Sequence, residues 1–237
     1  MTDAVAIIPA RGNSKRLPRK NILEFRGKPI IAYTIEAALQ SDIFERVVVS
    51  TEDAEIAGIA AHHGAEVAQR SAELSHDSAT VVDVCCDWLS REQQAGHHYQ
   101  IICCLYATAP LRNATDVAAT CGLLERGRCH YALAAAHYSH YPYQALRLER
   151  DGTVAPQWPE LCDMRADQVG ELIAGNGSTY ATFSDELLRS RNFYGPGMRA
   201  HIMPFRRSVD IDTADDLELA LCLAELEARR SADRDPR

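Results

Sequence analysis

Short apolar runs alternate along the chain with longer stretches whose apolar residues recur at helical spacing, and this alternation predicts most of the fold. Ala4–Pro9 is continuously apolar, as a parallel strand buried on both faces requires. Residues 29–40 place Ile30, Ile31, Ile35, Ala38 and Leu39 on one helical stripe, with Pro29 at a position the first turn tolerates. Residues 46–50 are a β-branched run, 53–63 an Ala-rich helix stopped by Gly64, and 65–68 a short strand. A helix over 78–95, a strand over 100–105, a helix over 113–126 and a strand over 131–136 continue the series. This order predicts an α/β fold of Rossmann-like type, a mostly parallel sheet with helices on both faces.

The series breaks between about 139 and 175. Ala145-Leu-Arg-Leu-Glu149 and Thr153-Val-Ala155 flank Asp151-Gly152, a favoured hairpin turn. A hairpin that the α/β core does not need reads as an inserted arm, and Tyr141, Tyr143, Leu146, Leu148 and Trp158 give it the surface of an interface core. A helix over about 213–229 follows, with Thr213 as its N-cap. The expected organisation is one domain over 1–230 that includes the arm, then a disordered tail over 231–237.

Composition narrows the class. Of the 237 residues, 46% are hydrophobic and 24% charged, the balance of a soluble globular protein, and the length suits one large α/β domain. No apolar run approaches a membrane span, and Met1-Thr2-Asp3 opens with an acid, so no membrane is expected and a cytoplasmic location is. The net charge of −8 argues against a nucleic-acid partner. The eight cysteines form no C-x-x-C, and Cys85-Cys86 and Cys103-Cys104 lie inside apolar runs, as reduced core thiols do. The histidine pairs lack convergent ligand spacing, which weakens any case for zinc.

The net charge conceals a local asymmetry. Residues 11–28 hold Arg11, Lys15, Arg16, Arg19, Lys20, Arg26 and Lys28 against the single acid Glu24, a segment of +6 that leaves −14 on the rest. The segment directly follows the first strand and contains Gly12, Asn13 and Ser14, residues that let a backbone turn its N–H groups inward. A basic loop at the carboxyl end of the first strand is where an α/β fold binds phosphate. The loop is of neither familiar nucleotide type. Gly27-Lys28 lacks the Walker glycine, and Gly175-Asn-Gly177 lacks the third glycine and early position of a dinucleotide fingerprint. No G-x-S-x-G elbow is present.

A second constellation is acidic. Ser208-Val-Asp-Ile-Asp-Thr213 alternates as a strand does, so Asp210 and Asp212 share one face, a hard-oxygen pair suited to Mg²⁺. The competing reading makes Asp212 the cap of the following helix, with Asp215, Asp216 and Glu218 in its first turn.

Ile8-Pro-Ala-Arg-Gly-Asn-Ser-Lys-Arg-Leu-Pro-Arg-Lys-Asn-Ile22 resembles the signature loop of the cytidylyltransferases that activate nonulosonic, sialic-acid-like sugars. Gln69-Arg70-Ser-Ala-Glu-Leu74 with Asp77, Ala107-Thr-Ala-Pro-Leu-Arg112, Asn176-Gly177 with Tyr180, and Asp210-Ile-Asp212-Thr213 follow in the family's order, so the likeness spans about residues 4–226. The resemblance implies a nucleotidyltransferase that moves CMP from CTP to the anomeric hydroxyl of a nonulosonic acid and releases pyrophosphate, with Mg²⁺ as cofactor. It assigns Arg11, Lys20 and Asp212 to catalysis, and Arg11, Gly12, Ser14, Lys20, Asn21 and Arg70 to the nucleotide. Gln144, Arg165, Asn176 and Tyr180 go to the sugar, and Asp210 and Asp212 to the metal. Lys15, Arg16 and Arg19 are left as phosphate ligands or solvated charges. Arg112 is read either as facing the sugar or as serving the helix that begins near 114.

Tyr141-Pro-Tyr-Gln144 and Arg165 are most similar to the pseudaminate-activating branch, whereas Gly175-Asn-Gly-Ser178 departs from it, so legionaminate and N-acetylneuraminate stay open. The family also implies a homodimer in which each arm crosses to the partner's sugar site. The alternatives are a nucleotidyltransferase for another sugar, such as 3-deoxy-manno-octulosonate, or a catalytically silent nucleotide-binding homologue.

Overall fold

The apolar runs assemble into a seven-stranded sheet in a computed structural model that describes residues 3–14, 16–76, 78–138 and 142–234. In chain order the first elements are β1 (Ala4–Pro9), the two-residue strands β2 (Glu24–Phe25) and β3 (Lys28–Pro29), α1 (Ile30–Gln40), β4 (Arg46–Thr51), α2 (Ala54–His62) and β5 (Glu66–Gln69). Then come α3 (Val81–Gln94), β6 (Ile101–Leu105), α4 (Ala114–Cys121) and β7 (Tyr131–His137). The arm holds β8 (Leu146–Leu148), β9 (Val154–Pro156) and the short helices α5 (Pro159–Cys162) and α6 (Ala166–Val169). The chain returns through β10 (Ile173–Phe183), α7 (Ser184–Ser190) and β11 (Arg199–Ile202), and closes with α8 (Ala214–Arg234).

The sheet order is β11-β7-β10-β6-β1-β4-β5, with β6 at its centre and β1 between β6 and β4. Every pairing is parallel except the two made by β10, which runs antiparallel to both β6 and β7. Because successive strand residues face opposite sides, β1 feeds two cores. Ala6 and Ile8 pack with Ile31 and Ile35 of α1, Ile56 of α2 and Val117 of α4, while Val5 and Ile7 pack with Cys85, Trp88 and Leu89 of α3 and Leu187 of α7. The expected mostly parallel, two-sided α/β sheet is the observed one. A third cluster joins Ala220 and Ala224 of α8 to Phe25, Ile30, Val209 and Ile211.

Local chemistry sets several boundaries differently from the periodicity. α3 begins at Val81, not 78, because the Thr80 hydroxyl accepts from the Asp83 N–H (3.1 Å) while the Asp83 carboxylate accepts from the Thr80 N–H (2.9 Å). α4 stops at Cys121 rather than 126; Gly122 ends it, and Glu125 and Cys129 form an isolated bridge. Pro29 stands one residue ahead of α1 as its N-cap. The basic segment ends in a tight hairpin, β2–β3, whose turn residues Arg26 and Gly27 both take positive φ (48° and 83°).

The arm carries the expected hairpin: Leu146 to Leu148 pair antiparallel with Val154 to Pro156, and Gly152 turns at φ 87°. Leu148 is 73% exposed, and Leu146, Val154 and Trp158 are exposed as well. Tyr143, expected at the surface, is buried instead, and Tyr141 lies outside the described residues. Six cysteines are buried core thiols as expected; Cys162 is half-buried and Cys222, on α8, is exposed. Among the described residues no helix is long and apolar enough to cross a membrane.

Candidate active site

The basic loop leaves β1 at the carboxyl end of the sheet. The N–H of Ala10 still donates to the Ser50 carbonyl (3.0 Å), and the Gly12 N–H then turns to the Glu52 carboxylate (2.8 Å). Glycine is required at 12 because a Cβ there would lie 2.4 Å from Asp53 Oδ2. The cations of the loop divide into two sets. Arg11, Arg16 and Lys20, with Ser14 and Asn21, line a cleft of about 730 Å³. Arg19, at φ 57°, instead binds Asp53 and Glu55 and so clamps the loop to the start of α2. Arg26 donates to the Ala224 carbonyl on α8 (3.1 Å), and Lys28 pairs with Glu36. Lys15 and Asp77 lie outside the described residues.

Asn21 is buried and its amide donates to the Arg11 carbonyl (2.9 Å), which fixes the loop's path across the cleft floor. Arg70, one residue past β5, is 6% exposed and lines the same cleft. Its Nη2 donates to the Ser50 carbonyl at 2.6 Å. Burial lowers its pKa below the ordinary arginine value, and nearby Glu52 opposes that shift.

The carboxylates sit beside the cleft, in contact with its lining residues Thr108, Lys20 and Arg16. Segment 208–213 forms no strand: among the described residues its one backbone hydrogen bond to a distant segment runs from the Ile211 N–H to the Thr108 carbonyl (2.9 Å). The alternation nevertheless holds, because Val209 and Ile211 are drawn into the α8 core and leave Asp210 and Asp212 on the other side. Asp210 accepts from the Thr108 hydroxyl. Asp212 receives Lys20 Nζ at 2.5 Å on one oxygen and Arg16 Nη2 at 2.7 Å on the other. The competing capping role falls to Thr213, as expected, in a reciprocal pair with Asp216: the Thr213 hydroxyl accepts from the Asp216 N–H (3.3 Å), and the Asp216 carboxylate accepts from the N–H groups of Thr213 (2.8 Å) and Asp212 (3.0 Å). Asp212 is thereby released from helix duty.

Burial, with the adjacent charge of Asp212, pushes the Asp210 carboxyl above the usual range. Burial acts in the same direction on Asp212, but Lys20 and Arg16 outweigh it and hold that carboxyl low. Two adjacent carboxylates, one of them half-buried and destabilised as an anion by the other's charge, fit a hard divalent cation such as Mg²⁺. Gly177, at φ 69°, touches this corner. A Cβ there would lie 2.6 Å from Asp210 Oδ2, so only glycine lets the chain pass. β10 loses register with β7 between Gly175 and Tyr180 to deliver that turn.

The remaining wall is aromatic. Tyr106, Phe193 and Tyr194 surround Tyr180 at ring-centroid distances of 5.7 to 5.9 Å, and all four line the cleft with Val81, Val82 and Val84 from the start of α3. Burial raises the Tyr180 and Tyr106 phenols above their ordinary values, so both remain protonated donors at neutral pH. Of the four residues assigned to the sugar, Tyr180 alone reaches this wall. The Asn176 amide is spent on its own turn: its oxygen accepts from the Ser178 N–H (3.2 Å) and hydroxyl (2.7 Å), while its nitrogen donates to Ser208 Oγ (3.2 Å). Gln144 and Arg165 are exposed on the arm, outside the cleft, with Arg165 paired to Asp167. Arg112 follows neither expected role. It is 2% exposed and donates to the Ser178 carbonyl (2.5 Å) and the Thr34 hydroxyl (2.7 Å), a strut behind the cleft, while Asn113 caps α4. Burial pushes its pKa down to about 10.

The sequence reading did not find Tyr106, Phe193, Tyr194, His76 or Glu52. These residues come from separate segments that only the strand order brings together. Thr108 had a signal, since it lies inside the Ala107–Arg112 block.

A cation-lined wall, a carboxylate corner and an aromatic wall form a cleft that can hold a polyphosphate beside a planar or ring-shaped group. The chain also resembles known proteins in sequence and fold. The sequence signature of the cytidylyltransferase family matches residues 5–133. The chain is 34% identical to the pseudaminic acid cytidylyltransferase of Campylobacter jejuni, over 92% of this chain and 95% of that one. It is 32% identical to the CMP-N,N'-diacetyllegionaminic acid synthase of Legionella pneumophila, over 94% and 96%. The fold is similar to that of CMP:2-keto-3-deoxy-manno-octonic acid synthetase solved with CTP, at a TM-score of 0.65 and 20% identity over 94% of this chain and 99% of that chain.

Proposed function

This chain belongs to the cytidylyltransferase family, and from that premise we propose that it transfers CMP from CTP to the anomeric hydroxyl of a nonulosonic acid. The observation that carries this reading is the cleft itself, lined by Arg11, Arg16 and Lys20, with Arg16 and Lys20 in direct ion pairs with Asp212 beside it. The anomeric oxygen attacks the α-phosphorus, the bond from that phosphorus to the bridging oxygen of the β-phosphate breaks, and pyrophosphate departs with the electron pair. Such a displacement asks the protein for alignment and for neutralised charge. Arg11 and Lys20 supply the charge toward the triphosphate. Arg70 meets the base, and Tyr180 offers its hydroxyl and ring to the sugar. Asp210 and Asp212 would hold Mg²⁺, which supplies further charge neutralisation at the phosphates. Pseudaminate-type acids are the favoured acceptors, on the strength of Gln144, Arg165 and the activity named for the Campylobacter relative. Initial rates with CTP, Mg²⁺ and a panel of nonulosonic acids test this reading: one of them should release pyrophosphate well above all others, and turnover only with a neutral or phosphorylated sugar would overturn it.

The working unit in this reading is a homodimer that exchanges its arms. The exposed Leu146, Leu148, Val154 and Trp158 would be covered by the partner, and Gln144 and Arg165 would reach the partner's cleft, which they do not reach in their own chain. Mixing Arg11→Ala protein with Arg165→Ala protein after reversible dissociation should restore activity, because each mixed dimer holds one intact site. Proven mixing without recovery would rule the exchange out.

A further inference from the structure

Glu52 is the first residue past β4, and it does not line the cleft. It nevertheless touches both sides of the nucleotide machinery. Its Oε1 accepts from the Gly12 N–H at 2.8 Å, and its Oε2 lies 3.9 Å from Arg70 Nη1. Oε2 is buried and accepts no hydrogen bond from the described residues. Among those residues Glu52 is also the one carboxylate within ion-pair distance of Arg70. The neighbouring residues make this corner stiff. Arg70 is anchored to the Ser50 carbonyl, and Asp53 caps α2 with its Oδ1 while holding Arg19 of the loop. The 50–53 corner therefore grips the basic loop at Gly12 and at Arg19, and it grips Arg70 at its guanidinium.

We infer that Glu52 is a positioning residue for the nucleotide: its carboxylate joins the Gly12 turn to Arg70 and holds the groups that take the triphosphate and the base at one fixed separation. A charge is needed there for a physical reason. Arg70 is buried among neutral acceptors, in a cleft already holding Arg11, Arg16 and Lys20, and both burial and the nearby Arg11 work against its charge. A single carboxylate behind it offsets both effects without entering the space the ligand occupies. Glutamine would still accept from Gly12 but would leave Arg70 without a counter-charge. Its guanidinium would then turn toward water or toward any carboxylate in reach, and the base site would lose its shape. The role is confined to the nucleotide, since among the described residues Glu52 makes no hydrogen bond or ion pair with Tyr180, Asp210 or Asp212.

The inference rests on the CTP reading above, so wild-type protein is measured beside each variant. Glu52→Gln should raise the KM for CTP about tenfold or more, the effect of removing one partner of a buried charged contact. The kcat, the KM for the acid sugar and the melting temperature should stay near wild type, while the preference for CTP over UTP falls. Glu52→Asp, which keeps the charge on a shorter stem, should recover part of the loss. Unchanged CTP constants in Glu52→Gln overturn the inference while leaving the CTP reading intact, as does an equal rise in both KM values. Melting of both variants far below wild type makes Glu52 a structural anchor and overturns it too. A wild-type protein that neither binds CTP by calorimetry nor turns it over removes the CTP reading itself, and the inference with it.

Discussion

Asp210→Asn is expected to lower kcat/KM on the order of 10³-fold while the protein melts at or above the wild-type temperature. The two effects separate because of where Asp210 sits. Its carboxylate is half-buried beside Asp212, an arrangement that costs the folded state free energy and raises its pKa. A group whose folded pKa lies above its unfolded value is less stable as the anion in the fold than outside it, so removing the charge relieves the fold at neutral pH. Asparagine keeps an oxygen for the Thr108 hydroxyl. What disappears is one hard anionic ligand at the corner where phosphate charge must be balanced. Parallel melting curves and initial rates at several Mg²⁺ concentrations decide the matter. Near-normal turnover at ordinary Mg²⁺ would show that the carboxylate pair is not the metal site, and a large fall in melting temperature would show that Asp210 is structural.

The second large effect is a contrast within one segment. Arg11→Ala is expected to lose turnover by about 10²- to 10³-fold, as removal of a single transition-state donor does, whereas Arg26→Ala should stay near wild type. Both carry the same charge and lie on the same basic stretch. Arg11 lines the cleft, while Arg26 turns at φ 48° and spends its guanidinium on the Ala224 carbonyl of α8. Loss of that bond should cost about 1 kcal/mol of stability and no catalysis. Equal losses of activity in the two variants would mean that the segment acts as a diffuse field. A salt titration provides an independent check, because diffuse attraction fades beyond a Debye length of ~8–10 Å near physiological ionic strength.

The parts of the fold legible in the sequence were those governed by neighbours in the chain. Ala4–Pro9 reads as a buried strand because both its faces are apolar, and the structure covers it with α1 and α3. Asp151-Gly152 reads as a turn because glycine alone meets the positive φ there without cost. Alternation placed Val209 and Ile211 inward and Asp210 and Asp212 together, even though no ladder forms at 208–213. What could not be read depends on contacts between distant segments. The antiparallel insertion of β10 between β6 and β7 follows from the direction in which the chain returns from the arm. α4 ends early at Gly122, although the periodicity continues to Arg126.

The candidate site divides in the same way. Arg11, Lys20 and Asp212 belong to contiguous motifs and come together in space. The aromatic wall draws on residues 106, 180, 193 and 194, which share no spacing. Charge alone could not sort the loop's cations, because Arg16 and Arg19 carry the same charge and are separated by the carboxylates each reaches, Asp212 for one and Asp53 with Glu55 for the other. Asn176 and Arg112 sit in matching motifs yet serve the scaffold, one closing the turn at Gly177 and the other bracing Ser178 from behind.

The central claim concerns which bond of the nucleotide breaks and where its phosphorus goes, and the fate of labelled CTP tests it most directly. With protein, Mg²⁺ and a pseudaminate-type acid, label at the α-phosphorus should appear in a CMP-sugar that comigrates with the acid's nucleotide conjugate. Label at the γ-phosphorus should appear in pyrophosphate. Gamma label released as orthophosphate, or α label left in free CMP with every nonulosonic acid offered, would contradict the transfer of CMP to an acid sugar.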